Sequence, residues 1–394
     1  MKKMRLVQLI HGFTTGGAEN LVKQYCQLFD RNKIELLVVA LHNHHSVFDL
    51  ELERSGIQVV YIDDIIDRRF SAFPVTVQKA VHRVCRRGLV RKVIQEFDPD
   101  VIHYHLLLSG YVKYASPKRG TKIFLTVHSA PRMLWTAKRD RKKDRKDTEW
   151  LSHNSSFCFI ALHEKMRREI NEMFGVGDTI IVNNGVMTER FKIDTPKEKI
   201  KKDIGIPRAA TVIGHIGRFI PAKNHAFLIN LFVRYLKMNP DAILILIGVG
   251  VLEDEIKGLV KEKGIEKKVY FLGARGDIPE LLHIMDVMVF PSVYEGLPVT
   301  LIEAQVAGIP CLVSDRIAEE VRISNLLTFK GLERTEDEWA YDIDQMVKNS
   351  VVPVIDTENW DLEKIVKKLE SLYAGYDLRG CVSDDTCASI WDVR

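Results

Sequence analysis

The sequence predicts an α/β protein built as two doubly wound domains, each a parallel sheet covered by helices on both faces. Three observations carry this expectation. Short apolar runs alternate with amphipathic stretches, and the alternation occurs twice along the chain. The runs are rich in Val, Ile and Leu without polar–apolar alternation, as in strands buried on both faces. The chain has 394 residues, 46% of them hydrophobic, which is too long for one ordinary core and suits two domains of roughly 150–200 residues.

In the first half the strand-like runs are Leu6–Ile10, Glu35–Leu41, Gln58–Ile62, Val101–Tyr104, Lys122–Val127, Phe157–Ala161 and Thr179–Val182. Helical patterns lie between several of them, at Ala18–Phe29, Val75–Phe97 and Lys165–Phe174. In the second half the runs are Thr211–Ile216, Ala242–Gly248, Val269–Leu272, Val287–Phe290 and Pro310–Val313. Helices are expected near Asn224–Asn239, Leu252–Lys263, Ile278–Met285 and Pro298–Ala307. The resulting division is an N-terminal domain 1–190, a polar, Lys-rich linker 191–207, a C-terminal domain 208–360, a helix over 361–375 and an irregular tail 376–394. Ligands of such sheets sit at the carboxyl ends of the strands, so the expected site is the cleft between the domains.

Composition excludes several classes. The longest nearly unbroken apolar run, Ala242–Leu252, has eleven residues and two glycines, too short to span a bilayer. The apolar stretch before His11 is too short for a secretion signal. Six scattered cysteines, without CxxC or zinc spacing, fit reduced thiols in a cytoplasmic protein. Charge is uneven: residues 1–190 carry 31 Lys+Arg against 21 Asp+Glu, leaving 26 against 32 in the remainder. Much of the excess lies in Arg83–Lys92 and Arg132–Lys146. A basic half beside an acidic one suits an anionic partner such as a membrane surface or a phosphorylated acceptor. A solvated helix face, with Asp140, Asp144, Asp147 and Glu149 interleaved, explains the second cluster as well. Nucleic acid is disfavoured, because the aromatic-plus-basic interleaving of a strand-binding groove is missing.

Three segments carry chemistry. His11-Gly-Phe-Thr-Thr-Gly16-Gly17-Ala-Glu19 joins the first strand to the first helix. Its glycines let backbone amides approach a phosphate at a helix N-terminus, although a tight structural turn would use them too. Gly217-Arg218-Phe-Ile-Pro-Ala-Lys223-Asn follows the first strand of the second half. There a guanidinium and an ammonium can hold a diphosphate, or simply be two surface cations. Glu295-Gly296-Leu297-Pro298-Val299-Thr-Leu-Ile-Glu303 places one glutamate in a loop and another inside the following helix. One carboxylate can take sugar hydroxyls and the other a second polyol such as ribose, with free helix amides between them for an anion.

In this order these segments resemble the retaining glycosyltransferases of family 4, which have the GT-B fold, and within them the capsular and exopolysaccharide branch. The resemblance covers roughly residues 4–374. It includes Val182-Asn-Asn-Gly-Val186, similar to a Pro-Asn-Gly-Val hinge with Asn183 in place of Pro, and Ala304-Gln-Val-Ala-Gly308-Ile-Pro310. The resemblance implies two Rossmann-like domains facing across a cleft, with the C-terminal helix crossing back. It implies transfer of a sugar from a nucleotide sugar, UDP-sugar foremost, to a glycan or polyprenyl-phosphate-linked acceptor in surface polysaccharide synthesis. Arg218 and Lys223 would hold the diphosphate, Glu295 the sugar hydroxyls and Glu303 the ribose. Gly16 and Gly17 would approach the donor phosphate. Gly296, Leu297, Pro298 and Val299 would line it, and the base would lie by Leu272. His128, in Thr126-Val-His128-Ser, matches a position near sugar and acceptor.

No cofactor or metal is expected, since GT-B enzymes generally need none and no DxD motif stands at a strand end. Asp63-Asp64 reads as a solvated turn. His103 and His105 are expected on opposite faces of a strand end, with one toward the cleft. The localisation implied is cytoplasmic, with peripheral contact at the inner face of the membrane. The alternative readings are a GT-B nucleotide-sugar epimerase or a non-catalytic partner subunit. Against the latter, Arg218, Lys223 and Glu295 are all present.

Overall fold

The structure, a computed structural model, describes residues 2–14, 16–71, 75–136, 139–349 and 351–375. The tail expected to be irregular, 376–394, with Cys381 and Cys387, lies outside the described residues. Two compact units emerge. One is built on β1 to β7 and the C-terminal helix, the other on Asn184–Leu362.

The strands of the first unit are β1 (Met4–Ile10), β2 (Ile34–Ala40), β3 (Val59–Tyr61), β4 (Val101–His105), β5 (Lys122–Thr126), β6 (Ser156–Ala161) and β7 (Ile180–Ile181). They form one parallel sheet in the order β3-β2-β1-β4-β5-β6-β7. β1 is an inner strand: Leu6 lies opposite Leu36 on one side and Val101 on the other. Leu6, Val7, Leu9 and Ile10 are wholly buried, because helices cover both faces. The second unit contains β8 (Val212–Ile216), β9 (Ile243–Ile247), β10 (Val269–Gly273), β11 (Val287–Phe290), β12 (Cys311–Ser314) and β13 (Leu327–Lys330). Its parallel order is β10-β9-β8-β11-β12-β13. In both sheets the order reverses beside the first strand, the doubly wound topology read from the sequence.

Several elements escape the sequence pattern. β13 is a short edge strand with only its first residue buried, so Thr328 and Lys330 break the apolar run. Asp63 and Asp64 are not a solvated turn. They open the helix Ile62–Phe70, where carboxylates suit the positive end of the dipole. Asp63 is gripped by Arg86 Nε and Nη2, both at 2.7 Å, and by His42 Nδ1 at 2.8 Å. Burial opposes ionisation there, yet the hydrogen bonds from His42, Arg86 and His82 hold its carboxyl well below the usual range. The polar segment 191–207 contains the helix Lys197–Asp203, tied down by Lys201 Nζ donating to the Ala210 carbonyl at 2.8 Å.

The core of the second unit packs the helix His225–Met238 against Glu336–Lys348. Phe232 and Trp339 are buried there, and the Phe227 and Trp339 rings meet edge-on at 5.4 Å. The segments entering and leaving this unit run side by side, with Val186 N–H donating to Trp360 O at 2.8 Å. The helix Leu362–Ala374 then returns to the first unit, as expected. Its Glu370 caps the Asp30 amide at 2.7 Å, and the Tyr373 ring lies 5.3 Å from Phe124.

Candidate active site

In the second unit the chemistry gathers at the carboxyl ends of β8, β10 and β11. After β8 the chain passes Gly217 and Arg218 into a 3-10 turn, Pro221–Lys223. Asn224 then takes a left-handed conformation (φ 56°) that turns the chain into the helix His225–Met238. Asparagine tolerates this region better than most residues. The loop after β11 is stitched to this turn: Val293 N–H donates to Ala222 O at 2.8 Å, and Asn224 Nδ2 to Pro291 O at 3.3 Å.

That stitching brings Lys223 and Glu295 together. Lys223 Nζ lies 2.7 Å from Glu295 Oε1, and the two side chains are only 13% and 16% exposed. The ammonium also sits 4.3 Å from the Phe290 ring centroid. Arg218 is exposed and forms no ion pair among the described residues. The helix Val299–Val306 begins directly behind Glu295. Its N-cap is Pro298, which supplies no side-chain acceptor, so the first amides are left for an anion. Gly296, Leu297 and Pro298 are buried, while Val299 is half-buried. Asn184, in the segment that resembled a hinge, donates Nδ2 to Leu297 O at 3.0 Å and anchors the loop from below.

Glu303 lies further along this helix, half-buried and without a hydrogen bond among the described residues. Burial pushes its carboxyl up to about 7, with Arg190 pulling in the opposite direction. Leu272 stands where the pairing of β10 with β9 slips between Phe271 and Gly273, so it is free of the ladder. Beside it the Phe271 and Phe219 rings stack at 5.9 Å.

The residues that hold Arg218 in place were missed. Gly217 N–H donates to Ile247 O at 2.9 Å, Phe219 N–H to Val249 O at 3.2 Å, and Leu252 N–H to Phe219 O at 3.0 Å. This backbone-on-backbone packing requires Gly248 and Gly250. A Cβ on Gly248 would stand 2.2 Å from Gly217 O, and one on Gly250 2.5 Å from Phe219 O. Two glycines at the end of an apolar run were the available signal. His215 and His225 were missed too. They are buried with rings 4.8 Å apart, and burial keeps both neutral beside the Lys223 ammonium.

After β1, Gly16 and Gly17 lead into the helix Gly17–Leu28. A Cβ on Gly17 would meet nothing within 4 Å, so the protein's own packing does not demand glycine there. Gly12 does need to be small, since a Cβ would stand 2.6 Å from His42 O. His128 lies just beyond β5, half-buried, with Nε2 2.9 Å from His105 Nδ1. The expectation that His103 and His105 face opposite ways fails. Side chains alternate along a strand, so residues two apart share a face. Their rings lie 4.2 Å apart, and both are wholly buried.

Among the described residues no group of three or more His, Cys, Asp or Glu is arranged to hold a metal, and no helix is long and apolar enough to cross a membrane. Comparison with known proteins matches two family models in succession. Residues 15–190 match "Glycosyltransferase Family 4" and residues 196–350 match "Glycosyl transferases group 1". EpsF of Bacillus subtilis (strain 168), named as a glycosyltransferase, is 28% identical over 86% of either chain. The Escherichia coli UDP-Gal:alpha-D-GlcNAc-diphosphoundecaprenol alpha-1,3-galactosyltransferase is 28% identical over 68% of this chain and 72% of its own. Among solved structures, Anabaena Alr3699/HepE in complex with UDP-glucose superposes with a TM-score of 0.74 at 18% identity, covering 95% of this chain and all of that one.

Proposed function

We propose that this chain, a glycosyltransferase of the GT-B fold, moves a sugar from a UDP-sugar to a glycan or polyprenyl-diphosphate-linked acceptor with retention of anomeric configuration. The reading rests above all on one observation: Lys223, Glu295 and the open first amides of the helix Val299–Val306 converge at the carboxyl ends of β8 and β11. The relatives support the donor class, since one is named for a UDP-galactose donor and another was solved with UDP-glucose.

In the free chain Lys223 and Glu295 neutralise each other. A bound donor divides them: the ammonium turns to the diphosphate and the carboxylate accepts hydrogen bonds from sugar hydroxyls. Arg218, without an ion pair among the described residues, adds a forked donor to the same phosphates. As the glycosidic bond breaks, negative charge grows on the leaving diphosphate, and these cations and helix amides stabilise it more in the transition state than before. Glu303 takes the ribose hydroxyls. Retention by double displacement would need a carboxylate nucleophile beneath the sugar. Glu295 is engaged with hydroxyls instead, so the acceptor attacks on the face the diphosphate leaves, and that diphosphate takes the acceptor proton. No step calls on a metal, so EDTA should leave turnover unchanged.

The direct test is calorimetry of the purified chain with UDP-, GDP- and ADP-sugars, followed by nucleotide release with and without acceptor. Micromolar binding of one UDP-sugar, weakened by Glu295→Ala, is the expected result. An absence of binding across the panel would overturn the donor assignment, and isomerised donor released without acceptor would make the chain an epimerase.

A further inference from the structure

A chain of polar side chains crosses the core of the first unit and ends at His128. Gln8 of β1, His103 and His105 of β4, Thr126 of β5 and Tyr373 of the C-terminal helix are all buried. His105 Nε2 lies 2.8 Å from Gln8 Oε1, and its Nδ1 lies 2.9 Å from His128 Nε2. On the other side Gln8 Nε2 donates to Tyr373 Oη at 3.4 Å. Tyr373 Oη lies 2.6 Å from His103 Nδ1, and His103 Nε2 lies 2.7 Å from Thr126 Oγ1. Burial holds all three imidazoles neutral near pH 7, with His103 at about 3 and His128 at about 4.

A neutral imidazole carries one hydrogen, and an amide oxygen can only accept. Gln8 Oε1 therefore places the His105 hydrogen on Nε2 and leaves Nδ1 bare. That bare nitrogen accepts, so the His128 hydrogen sits on Nε2 and its own Nδ1 is bare. The hydrogen bond made by one ring nitrogen sets the chemistry of the other. The remaining hydrogens run away from Gln8: Nε2–H to Tyr373, Tyr373 O–H to His103 Nδ1, and His103 Nε2–H to Thr126. Every ring nitrogen of His103 and His105 is satisfied, as a buried network must be to hold one arrangement.

We propose that Gln8, acting through His105, sets the tautomer of His128, so that His128 accepts a hydrogen bond from a substrate hydroxyl and cannot give one. The hydrogen bond from Gln8 Nε2 to Tyr373 Oη ties this setting to the docked C-terminal helix. Gln8, His105 and Tyr373 are positioning residues. The catalytic consequence rests on the reading of His128 as a residue that touches the sugar or the acceptor. Rotation of the Gln8 amide by half a turn would reverse every hydrogen in the chain and give His128 an Nδ1–H.

The test uses the full chain with ring-15N histidine and long-range 1H–15N correlation near about pH 8, His128 being assigned by its loss in His128→Ala. His128 should carry its hydrogen on Nε2. Gln8→Met should give a mixture of tautomers and lower kcat by about tenfold or more, with the donor KM within about twofold; complete loss of a proton-handling side chain costs about 10²–10⁴. Gln8→Glu, which can only accept, should keep the tautomer and most of the rate. If Gln8→Met does not fold, Tyr373→Phe serves in its place, because it releases the amide and should mix the tautomers. An Nδ1–H on wild-type His128, an unaltered tautomer in Gln8→Met, or an altered tautomer with unaltered kcat would each overturn the proposal. Unchanged turnover in His128→Ala, with tautomer control intact, would instead remove the substrate-facing reading of His128.

Discussion

At the scale of the residue, the site is defined by charges that are set before any ligand arrives. Lys223 and Glu295 are already within hydrogen-bond distance and mostly shielded from water, so a donor that engages both groups must exchange this pair for its own phosphate and hydroxyl contacts. Arg218→Ala and Lys223→Ala should each lower kcat by at least about 10²-fold, the cost typical of removing one donor from a developing anion. Initial-rate measurements with a saturating UDP-sugar check this, and near-normal turnover would refute the leaving-group role. Glu303 adds a pH dependence with a definite sign. Its carboxyl titrates at about 7 in the fold against 4.5 ordinarily, so the folded chain holds a proton that the unfolded chain has released. Stability contributed at this position therefore falls as pH rises from about 4.5 to about 7. Glu303→Gln should raise the melting temperature relative to wild type, increasingly from pH 5 to pH 8, while weakening donor binding. Parallel melting curves of the two proteins over that range, without divergence, would contradict it.

At the scale of the element, each functional side chain owes its place to a neighbouring loop. The segment bearing Arg218 is held by backbone bonds to the end of β9, a contact that only glycine at 248 and 250 allows. Gly248 also has φ of 139°, a region that residues with side chains rarely adopt. Gly248→Ala should destabilise the fold by more than about 1 kcal/mol, which is the scale of such backbone conflicts. It should also weaken UDP-sugar binding although residue 248 carries no polar side chain. Chemical denaturation paired with calorimetry reads both effects, and a variant with native stability and affinity would show that the loop contact is dispensable. Pattern reading finds the central strands and most long helices but passes over the helices Arg139–Asn154 and Glu336–Lys348, and also two elements with a visible reason, the helix Ile62–Phe70 and β13. In the first, two carboxylates disguise a helix start. In the second, an edge strand has no need of two apolar faces.

For the whole molecule, the uneven charge gains a partial explanation. Several cations of the first unit are paired within it: Arg86 with Asp63, Lys113 with Asp147 at 2.9 Å, and Arg132 with Glu172 at 3.4 Å. Lys142, Lys143 and Lys146 in the helix Arg139–Asn154 have no such partner among the described residues. A lipid-linked acceptor would place this unit against an anionic surface, where each basic residue contributes about 1 kcal/mol. The chain should sediment with vesicles containing anionic lipid at low salt, remain in solution with neutral vesicles, and be released as salt rises. Equal recovery in the supernatant with both vesicle types would exclude membrane contact through this face.

How much was legible divides along a physical line. The doubly wound class, the central strands and the Arg218, Lys223, Glu295 and Glu303 segments follow from local pattern, because buried parallel strands and helix starts impose short-range rules on residue type. Which partner each side chain finds does not follow from such rules. His103 and His105 were assigned to opposite faces by a misapplied strand period, and even the correct period would not have named Tyr373, 270 residues away from His103, as a partner. Gly248 and Gly250 stood in plain view, but their function depends on another loop's backbone lying within van der Waals distance. The sequence by itself determined the fold class, most of the strands and the chemical groups available. Only the tertiary structure decided which groups are paired, buried and made neutral, since those properties arise from contacts between strands and helices far apart along the chain.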